Sequence, residues 1–62
     1  MTRLDEVEAI LDKLEVDFKG YSRRILDDID MVDYKDIVEA GKELQTVLTD
    51  LINYGEEYNT LS

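Results

Sequence analysis

Apolar residues recur along this chain at alternating steps of three and four. Leu4, Val7, Leu11, Leu14, Phe18, Tyr21 and Ile25 make one series, widened by Ile10 and Ile29. That spacing keeps one stripe of a helix against a neighbour along its whole length. Ile37, Ala40, Leu44, Val47, Leu51, Tyr54, Tyr58 and Leu61 make a second series. Two such seams in one short chain predict an all-α fold, an antiparallel helical hairpin in a single domain over residues 1–62. The helices are expected at about 3–29 and about 34–59, with a turn at about 30–33.

Local signals place the ends. Thr2 followed by Asp5 forms a capping box with Asp in place of the usual Glu, and Asp5, Glu6 and Glu8 lie where a helix N-terminus favours negative charge. Gly20 offers a possible C-terminal cap, but the apolar phase passes through it without a slip, which favours one continuous helix over a break there. The run from Asp27 to Asp33 concentrates like charge that a helix C-terminus disfavours, and Asp30 or Asp33 can cap a second helix that begins near Tyr34.

The second helix has more apolar surface than one neighbour can cover. Val38, Leu48 and Ile52 lie on an adjoining stripe, with Gly41 and Gly55 on the same side, where a missing side chain lets another helix approach. A domain of this length buries only about 60% of the surface its unfolded chain exposes. There is no Cys for disulfides and no Cys or His for a zinc site. Oligomerisation is the remaining common source of stability, so the hairpin is expected to form a dimeric four-helix bundle.

Sixteen acidic residues against 7 basic ones give a formal charge of −9. Such a surface repels phosphate backbones and anionic lipid and favours basic protein partners. Glu8, Asp12, Asp27, Asp28, Glu39 and Glu43 are candidates for an acidic face. The candidates for partner contact are Val16 and Leu26, off the first seam, and Val38, Leu48, Ile52, Tyr54 and Tyr58 on the second helix. Tyrosines pack their rings while the hydroxyls reach water, a habit of cores and interfaces alike. Arg23 and Arg24, the only adjacent basic pair, are expected to pair within their own helix with Asp27 and Asp28 one turn on. Without an apolar run long enough for a signal or a span, the expected location is the cytoplasm of the producing cell, or of a host cell if the gene is viral.

Chemistry finds little purchase. Asp28, Asp30 and Glu39 fit three positions of a calcium-loop register, but Val32 stands where a ligand is needed and Asp33 where a Gly makes the sharp turn. Without His, neither Ser22 nor Ser62 has a base beside it, and carboxylate pairs such as Glu8 with Asp12 lack a cleft that would desolvate them. No enzyme activity, metal or cofactor is expected.

The layout resembles the plasmid copy-number regulators of the Rop type, hairpins of about this length that dimerise into a four-helix bundle, with Leu26, Asp30, Asp36 and Ile37 around the turn as the best local agreement. That family binds paired RNA loops through polar and basic residues of its first helix. The matching face here offers Ile10, Leu14 and Phe18, so RNA binding does not carry over. The opening Met1-Thr2-Arg3-Leu4 and the wide apolar face are similar to the short hairpin co-chaperones of type III secretion. The function expected is protein–protein binding by a regulator, inhibitor or adaptor that masks its partner, with an acidic face that can imitate nucleic acid. A structural assembly subunit or a secretion co-chaperone is the alternative, ahead of a Rop-like RNA regulator.

Overall fold

A computed structural model describes residues 1–62 as two helices, α1 (Arg3–Met31) and α2 (Tyr34–Leu61), which pack side by side as a hairpin. Helix α1 starts where Thr2 caps it. The Thr2 hydroxyl accepts the Asp5 N–H at 3.2 Å, and the Asp5 carboxylate accepts the Thr2 N–H at 3.3 Å, so two amides that the first turn leaves unpaired are satisfied reciprocally. No residue interrupts α1, and it runs through Gly20.

The turn is tighter than its run of aspartates suggests. Helix α1 ends in the pattern usually closed by glycine: the Val32 N–H donates to the Ile29 carbonyl at 3.2 Å and the Asp33 N–H to the Asp28 carbonyl at 2.9 Å. Val32 holds the left-handed conformation this requires, at φ 56 and ψ 37, although its branched Cβ crowds the following carbonyl there. Asp33 then caps α2, its carboxylate accepting the Asp36 N–H at 3.2 Å.

Both helices bury the seams that their apolar periods define. Val7 and Leu14 of α1 and Ala40 and Val47 of α2 are the buried apolar residues, and Leu4, Leu11, Tyr21, Ile25, Ile37, Leu44, Leu51, Tyr54 and Tyr58 flank them half-buried. Phe18 sits at the margin, 37% exposed. Four buried apolar side chains make a thin core. The molecule is a rod of 44 × 14 × 13 Å with a radius of gyration of 14.1 Å, against about 10.5 Å for a compact chain of this length. Its accessible surface is 4777 Å², where a compact monomer of 7.2 kDa exposes about 4,100 Å². Neither helix is long and apolar enough to cross a membrane.

Candidate interaction surfaces

Two ion pairs bridge the helices and report how they face each other. Near the open end, Arg3 clasps Glu57 with both nitrogens of one guanidinium edge, one of them 2.8 Å from the carboxylate. Near the turn, Arg24 does the same to Asp36, with Nε at 2.8 Å. Opposing residues run in antiparallel order between these clasps, so positions 10 and 17 of α1 fall opposite 50 and 43 of α2. The expected pairing of Arg24 within its own helix is thereby corrected: its partner is on α2, because the hairpin brings a carboxylate that can take the guanidinium bidentately. Arg23 forms no salt bridge, and Lys19 pairs with Glu15 one turn back.

The clasps mark one edge of α2. Asp36, Glu43, Asp50 and Glu57 recur there every seven residues, all acidic. Across the seam, the opposite edge carries Tyr34, Gly41, Leu48 and Gly55 at the same period, with Val38, Gln45, Ile52 and Asn59 one step further round. No charged residue occupies any of these positions. Leu48 is 46% exposed, Val38 and Ile52 are more so, and Tyr34 stands in solvent. Leu26 and Ile29 of α1 lie on this same side at the turn end, both exposed.

The remaining candidates are dispersed. Val16, 69% exposed, is on the outer side of α1, where it rims an open hollow of about 240 Å³ over Gly20 together with Asp17, Tyr21 and Arg24. Tyr54 and Tyr58 are half-buried in the seam, away from the uncharged edge. Glu8, Asp12, Asp27, Glu39 and Glu43 are exposed.

Asp28 does not belong to that acidic surface. It is 8% exposed and sits against Asp36 at the turn end of the seam. Its Oδ2 is buried and has no hydrogen-bond partner, an environment that favours the protonated carboxyl over the ionised one. The hydrogen bond to Asp36, then burial, then the charges of Asp36 and Asp33 push Asp28 up to about 6. Hydrogen bonds from Arg24 and then from Asp28 hold Asp36 down at about 2. The Arg3 clasp likewise lowers Glu57. The signal for Asp28 lay in the period itself: one step of three beyond Ile25 lands on it, so an aspartate occupies a seam position.

No group of three or more carboxylates is arranged to hold a metal ion. Comparison with models of protein families, with curated proteins and with solved structures gave no match.

Proposed function

We propose that this chain is a small acidic regulator that works as a dimer, binding a basic surface of another protein and masking it. What carries the reading is the segregation of charge on α2: one edge wholly acidic, the other wholly uncharged, on a chain of net charge −9. An acidic edge running along a 44 Å rod suits a groove lined by lysine and arginine, such as a protein uses for nucleic acid, and long-range attraction speeds such an encounter. Arginine neutralises only the two ends of that edge, at Asp36 and Glu57; Glu43 and Asp50 between them are left for a partner. The dimer is supported by the thin core and by the surface in excess of a compact monomer's.

The test is capture of partners from the producing cells on the immobilised chain at low and moderate salt. Expected is a basic protein whose binding weakens steeply with salt, is displaced by duplex DNA and is lost when Glu43 and Asp50 are both changed to Lys. Capture of nothing but the chain itself, or binding insensitive to salt and to E43K/D50K, overturns the reading.

A further inference from the structure

We propose that the uncharged edge of α2 is where a second copy of this chain docks, α2 against α2 of the partner copy, antiparallel, with Gln45 on the two-fold axis. The inference rests on the dimeric reading above and adds the face, the orientation and the register, none of which that reading needs.

Charge selects the occupant. Two chains of −9 repel, and they meet most cheaply where neither brings a carboxylate, which the edge through Tyr34, Val38, Gly41, Leu48, Ile52 and Gly55 provides over most of α2. A basic foreign protein gains no ion pair from this edge and several from the opposite one.

Side-chain size selects the register. In an antiparallel pair centred on Gln45, Val38 of each copy meets Ile52 of the other, and Leu48 and Tyr34 come within one residue, about 1.5 Å along the axis, of the other copy's Gly41 and Gly55. Every large side chain at the closest positions then faces a glycine, the arrangement that lets facing layers interdigitate. The two Gln45 amides meet at the axis, where each has both a donor and an acceptor for the other. Parallel packing in register instead sets Leu48 on Leu48 and each glycine on itself, leaving gaps beside a bulge. So does an antiparallel pair centred on Leu48. Space is available within each hairpin, since a Cβ built on Gly41 or Gly55 has nothing within 4 Å. The pairing is a closed two-fold contact in which the same patch serves both copies.

The chain has no cysteine, so single cysteines report the geometry directly. The full chain carrying Gln45→Cys, Leu48→Cys or Gly41→Cys is first run in sedimentation equilibrium, reduced, with helicity checked by circular dichroism. It is then oxidised mildly. Expected is a dimer in which Q45C crosslinks to itself and L48C crosslinks to G41C when the two are mixed, whereas L48C alone stays uncrosslinked, since antiparallel copies hold those residues about 10 Å apart along the axis. A helical monomer at all concentrations overturns the dimeric reading and this one with it. A dimer in which L48C crosslinks to itself, or in which Q45C does not, overturns the face and register alone.

Discussion

The two edges of α2 share a backbone, a length and a seam, and differ in charge and in side-chain size. On one edge Asp36, Glu43, Asp50 and Glu57 repeat every seven residues; on the other, Tyr34, Gly41, Leu48 and Gly55 do. Within the hairpin, α1 supplies arginines only to Asp36 and Glu57, so Glu43, Asp50 and the whole of the other edge meet the same water. The difference is what the proposed reading explains, with one edge suited to charge and the other to close packing, and the sharpest experiments exchange them.

Putting a carboxylate on the uncharged edge is the largest change. In the proposed dimer, Leu48→Asp would carry a charge into the notch over the other copy's Gly41, and leaving a buried charge without a partner typically costs about 3–5 kcal/mol. Association should weaken by roughly a thousandfold at 1.4 kcal/mol per tenfold, leaving a monomer in sedimentation equilibrium. The matching change on the acidic edge, Glu43→Gln, should leave the mass unaltered. If both variants, or neither, alter it, the edges do not differ as argued.

The turn end of the acidic edge should respond to pH. Asp28 is raised to about 6, so its folded form binds the proton more tightly than the unfolded chain does, and the stability it contributes is fully present below about pH 4 and lost as pH rises through 6. Asp36, lowered to about 2, contributes stability that is present above about pH 4 and lost as pH falls towards 2. The pair therefore favours folding most near pH 4, and that contribution falls as pH rises through 6. Melting temperature should be higher at pH 5 than at pH 7.5, and Asp28→Asn, which keeps a donor towards Asp36 without a charge, should reduce that difference. Asp27→Asn, an equal change of net charge at an exposed site, should leave most of the difference in place; if it acts like D28N, general repulsion rather than the buried carboxyl is responsible.

How far these features could be read without coordinates follows from the range of the forces involved. The helices, the Thr2 box and the passage of α1 through Gly20 rest on neighbours within about one turn, which a linear pattern displays. Arg24 was assigned to Asp27 and Asp28 because only intrahelical partners are visible in a line of residues; its bond to Asp36 depends on the hairpin's register, a property of two helices at once. Asp28 reads as part of a charged turn because Asp27, Asp30 and Asp33 surround it, although its phase is that of the seam. The acidic and uncharged edges were only partly visible. The surplus stripe showed at Val38, Leu48 and Ile52, but which side it lay on relative to the carboxylates required the clasps.

Between the edges, the turn sets the rotation of α2, and Val32 holds it in a conformation that suits glycine. Val32→Gly should remove the left-handed penalty, roughly 1–2 kcal/mol, less what glycine loses in chain entropy, for a net gain of about 1 kcal/mol in urea unfolding. Because Val32 lies on neither edge of α2, the dimer's cysteine crosslinks and the pH profile should be unchanged. A gain in stability with altered crosslinking would mean that strain in the turn, rather than the edges, orients the copies.

The finest comparison uses two glycines inside helices. Neither Gly20 nor Gly41 has a positive φ, and neither has an atom of the hairpin within 4 Å of an added Cβ. For an isolated hairpin, Gly20→Ala and Gly41→Ala should therefore be equivalent, each stabilising by about 0.5–1 kcal/mol through reduced chain entropy. For the proposed dimer they part. Gly20 opens on the hollow of α1, distant from the uncharged edge, so its alanine should raise the melting temperature and leave association alone. Gly41 receives Leu48 of the other copy, and a methyl group in that notch should weaken the dimer by about tenfold, since overfilling a close contact costs roughly 1–3 kcal/mol. Sedimentation equilibrium on the two variants checks this, and equal dimer affinity would place Gly41 in water and the second copy elsewhere.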